Sequence, residues 1–177
     1  MNDEERVETW FRLYHQDLYN YLVYFTGNRD VEDLVQEVFI KAIRKQSQYQ
    51  GFASVKTWLF RIARNCAIDE ARRRRVLKWI PEEWLRLVLS KEREPSEIVI
   101  LREDVDFLYQ AIRTLKQSYR DVVLLRHVQG LTVSETAEIL DWSESKVNTT
   151  VHRALKQLKK KMEMERNGIG VGTCAQR

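Results

Sequence analysis

The residues best equipped for chemistry in this 177-residue sequence lie between Ser143 and Lys161. Ser145, Lys146, Asn148, Thr149, His152, Arg153 and Lys156 face outward on a predicted helix, and Lys159, Lys160 and Lys161 follow them. Over residues 144–161 six bases stand against Glu144, a net of +5. Short polar groups near a helix start suit base edges in a DNA major groove, and longer cations further along suit phosphates. Val147, Val151, Ala154, Leu155 and Leu158 form the predicted buried side of the same helix.

A helix can present such a face only if the preceding element braces it. Thr132-Val133-Ser134-Glu135 has capping-box spacing, with Thr132 as cap and Glu135 reaching back. The short helix it starts is predicted to bury Val133, Ala137 and Leu140. Ala137 matters because two helices crossing steeply through a short turn need a small side chain at the crossing. Asp141 takes the tight-turn position, where glycine is usual, and aspartate tolerates left-handed φ. Ser143 then caps the outward-facing helix. The order of cap, small residue, turn and basic second helix is that of a DNA-reading helix-turn-helix.

Enzymatic chemistry finds little support. His15, His127 and His152 lack metal-ligand spacing, no glycine-rich phosphate loop occurs, and no nucleophile has a base beside it. No cofactor, metal or small-molecule substrate is expected. Cys66 falls on an apolar helix stripe and reads as a core residue, whereas Cys174 lies in a glycine-containing tail. Two such distant thiols form no disulfide framework, which predicts a reduced, cytoplasmic protein. The acidic start has no apolar targeting core, and no apolar run approaches about 18 residues, so membrane insertion is not expected.

With 44% apolar residues, 6 Gly and 2 Pro, the chain favours long helices over strands. Charge is unevenly spread: residues 1–40 carry a net of −6 and residues 41–78 a net of +9, against +4 for the whole. Neighbouring segments of opposite sign point to two partners, the basic segment being the nucleic-acid candidate. The first helix is predicted over Asp3–Thr26, with Val7, Trp10, Phe11, Tyr14, Leu18, Tyr21, Leu22 and Phe25 as its stripe. Gly27 and Asn28 stop it, and Asp30 is the expected cap of a second helix with the stripe Val31, Leu34, Val35, Val38, Phe39, Ala42 and Ile43. After a polar turn, Ser54 is the expected cap of a third, with Val55, Trp58, Leu59, Ile62, Ala63, Cys66 and Ala67 inward.

The predicted fold class is all-α, two small helical domains joined by a linker: residues 1–76, linker 77–98, second domain 99–164 and a flexible tail 165–177. In the linker, Trp79 and Trp84 are read either as packing on a neighbouring domain or as docking a separate protein. Val105, Leu108, Ala111, Ile112 and Leu115 predict one helix beyond it. Tyr119, Val122, Val123, Leu125 and Arg126 predict another, ended by Gly130.

Three blocks together carry a family resemblance. Asp30-Val31-Glu32-Asp33-Leu34-Val35-Gln36-Glu37-Val38-Phe39 resembles the second region of bacterial RNA polymerase sigma factors. Thr57-Trp58-Leu59-Phe60-Arg61-Ile62-Ala63-Arg64-Asn65, followed by Asp69, Arg72 and Arg73, resembles their promoter-melting helix. The helix-turn-helix, preceded by Leu115 and Tyr119-Arg120, resembles their fourth region. The small size resembles the extracytoplasmic-function (ECF) subgroup.

The resemblance implies a promoter-specificity subunit without catalysis of its own. Asp30, Asp33, Leu34, Gln36, Glu37 and Phe39 would dock on the clamp coiled coil of the largest polymerase subunit, and the flap region would be a further contact. Tyr49, Phe52, Lys56, Trp58, Arg61, Asn65, Asp69, Arg72 and Arg73 would engage and melt the −10 element, base stacking contributing about 1–3 kcal/mol per base. Trp58 is ambiguous between core and DNA, because it also lies on the apolar stripe. Thr132, Ser145, Lys146, Asn148, Thr149, His152, Arg153 and Lys156 would read the −35 element. An anti-sigma factor, free or membrane-anchored, is the expected inhibitory partner. The alternative is a stand-alone helix-turn-helix regulator whose N-terminal helices bind a ligand or dimerise.

Overall fold

A computed structural model describes residues 3–46, 49, 51, 54–77 and 103–166. Trp79, Trp84, Phe52 and Cys174 lie outside the described residues. The described chain is helical throughout, as expected, and divides into two compact units. The first holds α1 (Asp3–Thr26), α2 (Glu32–Lys45) and α3 (Val55–Leu77). The second holds α4 (Glu103–Arg113), α5 (Gln117–Val123), residues 133–137 of α6 (Val133–Leu140) and α7 (Glu144–Arg166). None of the described helices is long and apolar enough to cross a membrane.

In the first unit each helix packs on the other two. Leu18, Tyr21, Leu22, Val35, Val38, Leu59, Phe60 and Ala63 are fully buried, and the Tyr21 and Phe60 rings meet edge to face at 5.2 Å. Phe60 joins this core although it was not assigned to the α3 stripe. Phe11 and Ile43, assigned inward, are instead solvent-exposed at the stripe edges. Gly27 adopts φ +70 and donates its N–H to the Val23 carbonyl at 2.8 Å, closing α1 as its sequence predicts.

Two helix starts differ in mechanism. Ser54 does cap α3, its Oγ accepting the Thr57 N–H at 3.1 Å. Asp30 does not cap α2; the cap position is Val31, with no side-chain hydrogen bond. Asn28 takes both of the Asp30 backbone groups locally, donating from Nδ2 to its carbonyl at 2.8 Å and accepting its N–H at 3.2 Å. That local turn starts the helix one residue later than Asp30 would. Glu32 and Asp33 still place negative charge at its positive end.

In the second unit α4, α5 and α7 pack together. Leu115 lies beyond the end of α4 and is buried there. The exposed carbonyls at that end are met by cations from elsewhere in the sequence. Arg120 Nη2 donates to the Arg113 carbonyl at 2.8 Å and to that of Leu115 at 3.3 Å. Lys161 Nζ donates to the Thr114 carbonyl at 3.2 Å and to its hydroxyl at 2.6 Å. Burial lowers the Arg120 pKa from its ordinary value.

After α5 the chain widens into a π turn over Leu124–Val128. The Gln129 N–H bonds the Leu124 carbonyl at 2.9 Å, five residues back. Arg126 donates to the Leu131 carbonyl, and Gly130 reverses the chain at φ +67. This path delivers Leu131, buried, to the start of the helix-turn-helix.

Candidate nucleic-acid interface

The capping box predicted for α6 is formed. The Thr132 N–H donates to Glu135 Oε2 at 2.8 Å, and Thr132 Oγ1 accepts the Glu135 N–H at 3.1 Å. The Thr132 hydroxyl also lies 2.8 Å from the Glu135 carboxylate. That hydroxyl, expected to touch DNA, is thus committed to the cap. Ala137 and Leu140 are buried as predicted, with Thr136 and Ile139, whereas Val133 is only half-buried. Asp141 is the one described non-glycine residue with positive φ, at +57, which is the left-handed turn its position predicts. The Trp142 N–H closes the turn onto the Ala137 carbonyl at 2.9 Å, and Ser143 Oγ accepts the Lys146 N–H at 3.3 Å.

On α7, Val147, Ala154 and Leu158 are buried and Val151 is half-buried, while Leu155 is 39% exposed rather than inward. The helical period puts Leu155 at the flank of the buried stripe. Ser145, Asn148, Thr149, His152, Arg153 and Lys156 are all exposed. The side chain of Lys146 is exposed too, its Nζ standing 4.0 Å from the centre of the Trp142 ring. Lys161 departs from the basic run. Seven residues after Ala154 it returns to the inner side of the helix, where it makes the Thr114 bonds described above.

In the first unit, Trp58, Arg61, Asn65 and Arg72 fall on one side of α3 by their three- and four-residue steps, with Arg61, Asn65 and Arg72 exposed. Trp58 is half-buried in an aromatic cluster, 5.6 Å from Trp10 and 5.0 Å from Tyr49 between ring centres. It therefore stands at the boundary of core and surface. Tyr49, 6.2 Å from Trp10, is held in the same cluster, and Arg6 covers the Trp10 ring at 5.4 Å. Lys56 pairs with Asp17 at 3.6 Å, and Asp69 lies 3.6 Å from Arg72.

Arg73 leaves this face for α2. Its guanidinium lies 3.5 Å from the Glu37 carboxylate and 3.9 Å from that of Glu70. Glu37 also accepts from Lys41 at 2.8 Å. That hydrogen bond holds the Glu37 carboxyl below its ordinary value and raises Lys41, whereas burial pushes the Cys66 thiol up. Cys66 is in the core, as its stripe position predicts.

The acidic face expected of α2 needs one correction. Asp30, Asp33 and Gln36 are exposed and Glu37 is half-buried, but Leu34 and Phe39 are only 8% and 5% exposed. Both lie on the inner stripe with Val35, Val38 and Ala42. Ile40 and Ile43, 47% and 46% exposed, are the apolar residues that α2 does offer to solvent. Ile40 was legible from its offset to the buried stripe, whereas Ile43 falls at the stripe's edge and its exposure was not. Among the described residues no cluster of three or more His, Cys, Asp or Glu could hold a metal ion.

Known proteins share this arrangement. Residues 10–76 match the family model for sigma-70 region 2, and residues 108–158 match that for sigma-70 region 4. The ECF RNA polymerase sigma factor SigX of Bacillus subtilis is 37% identical over 175 residues, covering 94% of this chain and 88% of that protein. RNA polymerase sigma factor YlaC of the same organism is 35% identical, covering 94% of this chain and 97% of that protein. Among solved structures, the sigma factor RpoE of Bartonella quintana, in complex with the anti-sigma factor NepR, is similar in fold. It has a TM-score of 0.72 at 22% identity, covering 88% of this chain and 96% of that one. CnrH, in complex with the cytosolic domain of CnrY, gives a TM-score of 0.68 at 20% identity, covering 90% and 89%. From relatives more than one-third identical over nearly their whole length, and from regions 2 and 4 in order, the chain belongs to the ECF sigma factors of bacterial RNA polymerase.

Proposed function

We propose that this sigma factor works in the cytoplasm as a promoter-specificity subunit with no catalytic step of its own. The observation carrying the proposal is the helix-turn-helix: a capped brace helix, a left-handed Asp141 turn, and α7 presenting exposed polar and basic side chains. In this reading α7 enters the major groove of the −35 element with Ser145, Lys146, Asn148, Thr149 and His152 near base edges, and Arg153 and Lys156 at phosphates.

The α3 face of Trp58, Arg61, Asn65 and Arg72, together with Tyr49 and Phe52 in the turn before it, engages the −10 element and holds its unstacked bases. Asp69 orients Arg72 and Arg73 bridges toward α2, while Lys56, paired with Asp17 and lying over the Phe60 ring, supplies charge at the start of α3. Docking to the clamp coiled coil of the largest polymerase subunit uses Asp30, Asp33, Gln36 and Glu37, with Ile40 and Ile43 as its apolar part and Leu34 and Phe39 supporting it from beneath. Residues 1–76 and 99–164 act as the two working domains, with 77–98 linking them and 165–177 as a tail. An anti-sigma partner fits this reading, since the fold-level neighbour RpoE was solved with the anti-sigma factor NepR and CnrH with the cytosolic domain of CnrY.

Run-off transcription with purified core polymerase, with and without this protein, tests the proposal on a promoter library. The expected result is start sites that depend on the protein. Their absence, or promoter binding by the free protein as tight as with polymerase, would favour a stand-alone regulator.

A further inference from the structure

The turn of the helix-turn-helix holds a side chain that the base-reading account leaves unused. Trp142 precedes the cap Ser143, is half-buried, and stands with its ring face 4.0 Å from the Lys146 ammonium. Lys146 occupies the third position after the cap. At that place in α6 stands Glu135, whose carboxylate reaches back and accepts the Thr132 N–H. In α7 a cation stands there, at the positive end of the helix, where the helix dipole opposes it. Among the described residues Lys146 makes no ion pair that would offset this, and its ring contact is with Trp142. A residue placed against the local electrostatics of its own helix and steadied by an aromatic face is arranged for something outside the chain.

We propose that Trp142 is a positioning residue that holds Lys146 for a guanine O6 and N7 edge at the start of α7. The inference rests on reading α7 as the recognition helix. A lysine carries a flexible four-carbon stem, so a free one would be ordered only on binding. An indole face fixes one side of the ammonium by attraction to its π-electrons and leaves donors on the other side open to an acceptor. N-terminal residues of a recognition helix meet base edges rather than phosphates, and lysine on guanine is among the common specific contacts. Lys146 lies at the flank of the exposed face, beside Thr149 and Arg153 and across the face from Asn148, rather than at its centre. Its reach to a base therefore depends on the side from which it is held.

The full-length protein reconstituted with core polymerase is used to select from a duplex library randomised over the upstream element. The wild type is expected to prefer guanine at one base pair that Lys146→Ala levels, with preferences elsewhere retained. Trp142→Leu should weaken the preference at that same pair by about 2–5-fold, the range of a cation–π contact at an exposed site, and Trp142→Phe should keep it. Melting curves establish that each variant is folded, and Trp142→Met repeats the contrast if leucine does not pack.

The proposal fails if Lys146→Ala lowers affinity evenly across the library, which marks a phosphate contact. It fails equally if Trp142→Leu keeps the wild-type preference, or if Trp142→Phe behaves like Trp142→Leu. Arg153→Ala and Lys156→Ala, run alongside, separate the levels. If either weakens binding, only the Trp142 proposal is lost; if neither does, the reading of α7 falls with it.

Discussion

Lys156 and Lys161 are five residues apart on one helix, and their surroundings are opposite, which under the proposed function predicts opposite roles. Lys156 projects from the exposed face of α7 and makes no ion pair among the described residues, so neutralising a DNA phosphate would cost it little. Lys161 is tied to the end of α4 through Thr114, at 2.6 Å and 3.2 Å. Each neutralised phosphate steepens the dependence of log affinity on log salt by about 0.9. Lys156→Ala should therefore flatten the slope for holoenzyme on promoter DNA by about that amount. Raising salt fourfold, from roughly 50 to 200 mM, should shrink the deficit of the variant by a factor of about 3.5. The loss should be even across promoter sequences, as expected of a backbone contact.

Lys161→Ala should leave the slope unchanged and instead lower the stability of the second unit by about 1 kcal/mol, the usual worth of a lost hydrogen-bonded contact. Filter binding across a salt series, paired with thermal melts of both variants, measures the two effects separately. An unaltered slope for Lys156→Ala would remove it from the DNA face. An equal flattening for Lys161→Ala would mean that its Thr114 bonds give way when DNA binds, refuting the assignment of roles.

Three further outcomes test other parts of the structure. Thr132→Ala removes the acceptor of the Glu135 N–H and should cost about 1 kcal/mol in urea unfolding; a variant as stable as wild type would show that the capping box adds nothing. Asp33→Ala combined with Glu37→Ala should weaken binding to core polymerase roughly tenfold, about 1.4 kcal/mol, while −35 recognition by the second unit is retained, and undiminished capture of polymerase would place docking elsewhere. The lowered Glu37 pKa means its pair with Lys41 contributes fully above the ordinary value of 4.5 and is lost as pH falls through the lower folded value. Glu37→Gln should accordingly lower stability near neutral pH by about 0.3–0.5 kcal/mol and narrow its gap from wild type in acid, which melts from pH 7 to 3 would register.

Much of the site was legible from local pattern. The Thr132–Glu135 box, the Ser54 and Ser143 caps, the Gly27 stop and the left-handed Asp141 turn each depend on a few neighbouring residues, and each formed where its chemistry placed it. The outward face of α7 was readable for the same reason, because a period of 3.6 residues assigns every side chain a direction once the helix exists. What that period cannot assign is the boundary of a stripe. Phe11, Leu34, Phe39, Ile43 and Leu155 all lie near such boundaries, and the neighbouring helices decided which were covered.

Non-local partners decided the rest. Nothing near Lys161 in sequence announces Thr114, 47 residues away, nor does anything near Arg73 announce Glu37, 36 residues away. For the DNA face this division has a simple physical origin. Helix caps and periodicity set the direction in which a cation leaves its helix, but whether its charge remains available to a phosphate depends on which acceptors packing brings within hydrogen-bond distance.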